Sequence, residues 1–300
     1  MPRDRSSILT EQVNPRTGDL HRLSVGECVG LIQREDRAIA EALEAAAPAI
    51  TTFIERAEAG FVAGGRLVYV GAGTSGRLGV LDASEAPPTF CVEPGRIVGI
   101  IAGGDGSLRR SSEGREDEVD GAVGELESLG LTEQDSVLGI AAGGTTPYVL
   151  GAIAHARRMG AGVTGLLTCC PIEKPVGCDV LIVVATGAEV VTGSTRMKAG
   201  SATKQALNTI STTLMVRSGR VYRNLMVDLR ATNEKLRDRA ARIVSTLTGL
   251  DRGGSLELLA RAGWSVKAAV VMQRMGVPQI EAQRRLDQAG GRLDGAVGEV

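Results

Sequence analysis

The chain has 300 residues, 43% of them hydrophobic and 23% charged, a globular balance that excludes a disordered tail, a collagen-like fibre and a coiled-coil rod. With 34 Lys and Arg against 35 Asp and Glu, the formal net charge is -1, so there is no general pull toward nucleic acid or anionic lipid. Aromatic residues make up only 2%, too few for a base-stacking surface, and no apolar run approaches the ~18 residues of a membrane span.

Residues 1 to about 24 are polar and irregular. A helical pattern covers 24–63, from Val25, Cys28, Leu31 and Ile32 into an alanine-rich stretch through Ile50, Phe53 and Ile54, and Gly64-Gly65 stops it. Five short apolar runs follow, at 67–70, 97–102, 136–141, 163–168 and 180–185, with helical periodicity between some of them at 108–129 and 147–159. Continuous apolar strands joined by helices predict an α/β fold, a five-stranded parallel sheet buried on both faces. A long helix is predicted over 194–216, then a connector with Tyr222, Asn224 and Met226, then helix from about Asn233. After Gly253, three or four short helices are split by Gly263, Gly276-Val277-Pro278 and Gly290-Gly291. The expected organisation is an N-terminal segment with helices (1–63), the sheet domain (64–220) and a small C-terminal helical region (221–300).

Five cysteines with no C-x-x-C pair, and two histidines, argue against a zinc site. An odd cysteine count without disulfide spacing, and an N-terminus lacking an apolar signal core, are expected of a cytoplasmic protein.

Two loops carry the chemistry. The first strand runs into Gly71-Ala72-Gly73-Thr74-Ser75-Gly76-Arg77, formally the G-x-G-x-x-G dinucleotide fingerprint. The acidic partner expected about 20 residues on is missing; Asp105 follows about 30 residues after the motif. Thr74 and Ser75, hydroxyls beside a helix N-terminus, suit a phosphate monoester better. The bland alternative is that the glycines only permit close packing and Ser75 only caps the helix. The third strand ends in a second such loop, Ala142-Gly143-Gly144-Thr145-Thr146-Pro147, with Thr146 as N-cap and the proline in the first turn. Both turns fall at the carboxyl edge of the sheet, where ligands bind in such folds.

Three charged segments remain. Glu85 precedes Pro87-Pro88, which are expected to force the chain out of its helix there. In Glu113–Glu118, a buried stripe set by Leu108, Val119, Ala122, Val123 and Leu126 turns Glu116 inward and Asp117 outward; partial desolvation of Glu116 suits an acid/base role. Along 189–198, Ser194 reads as an N-cap. Arg196 and Lys198 are then cations in a first turn, where the helix dipole disfavours them, so an anion is expected to answer them, either a ligand or Glu189; solvent-facing charges are the alternative.

Taken together, Thr10-Glu11 with Asn14-Pro15, GRLVYVGAGTSGRLGVLDASEAPPTF, VGIIAGG, TPYV, GAEVVTGSTRMKAG, NLMVDLRATNEKL and QRRLDQAGGRL resemble the N-acetylmuramic acid 6-phosphate etherases of the sugar-isomerase (SIS) superfamily, over nearly the whole chain. The resemblance implies cleavage of the lactyl ether of N-acetylmuramate 6-phosphate to N-acetylglucosamine 6-phosphate and D-lactate, in cell-wall sugar recycling, by a homodimer without metal or redox cofactor. It places the active-site glutamates on Glu85 (donor to the leaving lactate) and Glu116 (base at C2). The two loops and the 189–198 segment supply the expected substrate-binding residues Gly73, Thr74, Ser75, Gly76, Gly143, Thr145, Thr146, Glu189, Ser194, Arg196 and Lys198. One departure stands out: the family's second loop commonly reads Ala-Ser-Gly-Arg-Thr-Pro-Tyr, whereas this chain has Gly143 and Thr145 in place of the serine and the arginine. A phosphosugar isomerase and a non-catalytic sugar-phosphate sensor on the same fold are the rival readings.

Overall fold

The computed structural model describes residues 5–110, 113–229 and 233–299. Ser24 opens the first helix with a capping box: its hydroxyl accepts the Glu27 N–H while the Glu27 carboxylate accepts the Ser24 N–H. The helical pattern of 24–63 is two helices, α1 (Val25–Asp36) and α2 (Ala38–Val62), meeting at Arg37.

Five strands follow: β1 (Leu67–Gly71), β2 (Ile97–Ile101), β3 (Ser136–Ile140), β4 (Val163–Thr168) and β5 (Val180–Val183), all parallel in the order β2-β1-β3-β4-β5. The predicted α/β fold is thus the observed one. The helices of this part are α3 (Gly73–Phe90), α4 (Val123–Leu129), α5 (Pro147–Arg158) and α6 (Lys198–Arg217). Alternation along each strand serves both faces. Val68, Val70, Val137 and Leu166 pack with Leu126 of α4 and with Val149 and Ile153 of α5. On the other face Phe53 of α2 lies so close over Gly165 that an added Cβ would be 2.8 Å from its ring. There the buried Tyr69 hydroxyl donates to Asp82 of α3 (2.9 Å), which also accepts from Asn208 (2.6 Å) and Ser211 (3.1 Å) of α6.

Three local expectations are corrected. Pro87 and Pro88 do not end the helix at Glu85, since α3 continues to Phe90. They lie in its last turn, where the two missing N–H groups cost only the bonds to the carbonyls of Ala83 and Ser84. The periodic stretch 108–129 is helical only from Val123; before it come two short 3₁₀ turns, Asp105–Leu108 and Glu113–Arg115. No apolar residue occurs between Leu108 and Val119, so a helix there would bury nothing, and Val119 itself is 54% exposed. Finally, α6 begins at Lys198, so Ser194 is not its N-cap.

The structure divides into two compact units, the boundary falling within α3 after Ser84 and within α6 after Ser211. The second unit comprises 85–94 and 212–300. Among the described residues it holds a short hairpin, β6 (Val221–Tyr222) with β7 (Leu225–Met226), and the helices α7 (Glu234–Thr248), α8 (Arg252–Arg261), α9 (Val266–Met275), α10 (Gln279–Gln288) and α11 (Leu293–Ala296). Its core is built on Ala240, Val244, Leu259 and Val270. Gly249 and Gly276 end their helices at φ +79° and +65°, a conformation glycine adopts without strain. No described helix is long and apolar enough to cross a membrane.

Candidate active site

β1 and β3 are neighbours, yet the chain leaves them in opposite directions, to β2 on one side and β4 on the other. That makes the β1/β3 boundary the switch point of the sheet, where a crevice opens at the carboxyl ends of the strands. Gly71 pairs with Ile140, so the two glycine-rich turns start side by side.

The first turn is shaped by close contact. A Cβ on Gly76 would stand 2.6 Å from Ile101 Cγ1 and 2.7 Å from the Gly71 carbonyl oxygen. Gly73 has φ +53° and starts α3, which puts Thr74 and Ser75 in its first turn. In the second turn Gly144 has φ +73°, and a Cβ there would lie 2.7 Å from Ile172 Cδ1; Gly143 has room for one, with nothing nearer than 3.5 Å. Thr146 holds the N-cap position of α5 but its hydroxyl caps nothing, and Pro147 follows in the first turn. The hydroxyls of Thr74, Ser75 and Thr146 therefore remain available, with no hydrogen-bond partner among the described residues.

Both turns line one cavity of about 240 Å³. Gly73, Thr74, Ser75, Gly143, Thr145 and Thr146 all border it, and so does Glu116. The half-buried Glu116 is held there by its own backbone: its carbonyl accepts the Tyr148 N–H (3.1 Å), tying it to the first turn of α5. Asp117 is exposed. The starts of α3 and α5, the free hydroxyls and Arg5 thus meet at the cavity, together with the acidic Glu11 and Glu116.

The other residues singled out by sequence lie elsewhere. Gly76 is buried beneath the turn and does not line the cavity. Glu85 is exposed on α3 and is not among the lining residues. Ser194 and the exposed Arg196 are also outside the lining. The anion that answers Lys198 is a protein carboxylate: its fully buried ammonium donates to Glu35 at 3.0 Å. Glu189, also fully buried, accepts the backbone N–H groups of Lys198 (3.1 Å) and Ala199 (2.8 Å), so it caps α6. Burial raises its carboxyl pKa, and those two N–H bonds oppose the rise.

Sequence reasoning missed the N-terminal strap that closes the site. Ile8, Thr10 and Glu11 border the cavity, as does Thr195. The strap is fastened to the segment before α6 and to the end of β4: the Gly193 N–H donates to the Thr10 carbonyl (3.1 Å), Thr17 Oγ1 to the Val190 carbonyl (2.9 Å), and the thiol of Cys170, just past β4, to Thr10 Oγ1 (3.5 Å). Asn14 (2.7 Å) and Arg16 (2.5 and 2.8 Å) then converge with Lys198 on Glu35. The resemblance marks Thr10, Glu11 and Asn14, but only the fold shows what they touch.

The Arg16 hydrogen bonds, with help from Lys198 and Asn14 and against burial, lower the Glu35 carboxyl from 4.5 to about 2. Burial pushes Asp135 up, but hydrogen bonds from Arg66 and from the Thr132 and Arg66 N–H groups outweigh it and hold that carboxyl at about 2, from 3.8. A depressed carboxylate pKa stabilises the fold fully above the unfolded value, and the stabilisation is lost as pH falls toward the folded one. Stability in urea is therefore expected to be insensitive to these groups above about pH 5.5 and to fall between about pH 4.5 and 2. Glu35→Gln should flatten part of that decline while lowering stability at neutral pH, because Lys198 is left buried without its partner.

The sheet order and paired turns define a doubly wound α/β domain with its crevice at the β1/β3 switch point. Consistently, residues 45–157 match the family described as glucokinase regulatory protein N-terminal SIS domain. Over nearly the full length the chain is 50% identical to the N-acetylmuramic acid 6-phosphate etherase of Gloeobacter violaceus (97% of this chain, 95% of the relative) and 48% identical to that of Serratia proteamaculans (97% and 98%). The enzyme of the same name from Caldanaerobacter subterraneus is 47% identical (97% and 95%). The chain belongs to the N-acetylmuramic acid 6-phosphate etherase family.

Proposed function

We propose that this protein cleaves the lactyl ether of N-acetylmuramate 6-phosphate, giving N-acetylglucosamine 6-phosphate and D-lactate, in the recycling of cell-wall amino sugars. The observation that carries the reading is the convergence of two hydroxyl-bearing turns and Glu116 on one cavity at the switch point of the sheet.

Direct displacement of an alkoxide from an ether is slow, and elimination avoids it. In the open-chain sugar the C2 proton is α to the C1 aldehyde and therefore acidic. Glu116 as carboxylate takes that proton, the electron pair forms the C2–C3 double bond, and the C3–O bond breaks as a protonated Glu85 delivers a proton to the departing lactate oxygen. Water then adds at C3 and a proton returns to C2, so the sum is hydrolysis. Each proton transfer contributes about 10²–10⁴-fold, provided the two carboxyls differ in protonation state.

Since Glu85 is exposed and outside the lining of its own cavity, the proposal includes a homodimer in which the partner subunit's Glu85 serves this site. Residues 64–220 are the phosphosugar-binding part in this scheme.

The seat for the phosphate is testable by its removal. Unphosphorylated N-acetylmuramate is expected to react with a kcat/KM lower by at least about 10²-fold, since charge-assisted contacts from several donors are lost together. Equal kcat/KM for both sugars would refute the seat.

A further inference from the structure

A second cavity of about 520 Å³ adjoins the first, with Ile8 and Thr145 standing in the walls of both. The first, at about 240 Å³, falls below the roughly 300–1,000 Å³ of pockets that enclose small molecules. An amino-sugar phosphate with two further substituents must therefore extend beyond it. The two spaces differ in chemistry. The first combines hydroxyls and glycine backbone with Arg5, Glu11 and Glu116, while the second has Leu150 and Ile172 in its walls together with Glu173 and Lys174.

Resting on the proposed function, we infer that the second cavity receives the lactyl group and that Lys174 reads its carboxylate. The reacting carbons lie beside Glu116, which is tied to the start of α5, and that loop and helix also supply Gly144, Thr145 and Leu150 to the second cavity. The reacting carbons carry two substituents, the acetamide at C2 and the lactyl ether at C3, and of these only the lactyl group is charged. Its methyl suits the aliphatic walls. Among the described residues lining this cavity, Lys174 is the one cation; it is exposed and has no hydrogen-bond or ion-pair partner there. Thr145, which stands in both walls, supplies no charge, and Lys174 provides one from the segment after β4. Glu173 on the same rim opposes it, so the contribution is best read as a difference between two ligands.

That difference is measured with Lys174→Met. The KM for N-acetylmuramate 6-phosphate is expected to rise about 10-fold, while N-acetylglucosamine 6-phosphate, which lacks the lactyl group, inhibits with its constant changed by less than about twofold. Lys174→Arg keeps the charge and is expected to restore most of the affinity. An unchanged KM in Lys174→Met, or an equal weakening of both ligands, would overturn the inference while leaving the proposed reaction standing. Wild-type protein that releases no D-lactate would overturn the reaction and the inference with it.

Discussion

Glu116→Gln is expected to lower D-lactate release from N-acetylmuramate 6-phosphate by about 10²–10⁴-fold, with the affinity for N-acetylglucosamine 6-phosphate largely kept. The substitution preserves the shape of the side chain and removes only its ability to take a proton. Its effect on the fold should be small, because Glu116 is fixed by its backbone carbonyl to the Tyr148 N–H and not by its carboxylate. Binding persists because the hydroxyls of Thr74, Ser75 and Thr146 and the two helix N-termini are untouched. Turnover within about threefold of wild type would remove Glu116 from the chemistry.

The second large effect is a recovery. Glu85→Gln alone should also abolish turnover while leaving binding largely intact, so each single variant is inactive as a homodimer. If the two variants are unfolded together and refolded as a mixture, the hybrid dimer joins the intact Glu116 of one chain to the partner subunit's intact Glu85. Activity should return at about a quarter of wild type, from a half share of hybrids with one working site each. No recovery, despite hybrid dimers shown by mass spectrometry, would place both carboxylates in one chain.

The strands were legible because a parallel sheet is buried on both faces, which writes each strand as a continuous apolar run; β4 has the bounds its run predicts. The two turns were legible because glycine at a strand end, followed by hydroxyls and a helix, leaves a local pattern. What escaped depends on distance along the chain. Lys198 reads as a cation awaiting a ligand because its partner, Glu35, stands 163 residues away, beyond any periodicity. The Thr10 strap meets Cys170 across 160 residues. The 3₁₀ turns around Glu116 were misread because an apolar stripe was extended through Val119 across a stretch with nothing to bury. There the carbonyl of Glu116 bonds to α5 and not to its own segment.

The most direct measurement follows D-lactate and the sugar product together when N-acetylmuramate 6-phosphate is supplied to the purified protein in H₂¹⁸O. Stoichiometric D-lactate, with ¹⁸O at C3 of N-acetylglucosamine 6-phosphate and none in the lactate, is the result expected of elimination followed by water addition. An isomerised sugar that keeps its lactyl group, or binding with no product at all, would contradict ether cleavage and leave the isomerase or the sensor in its place.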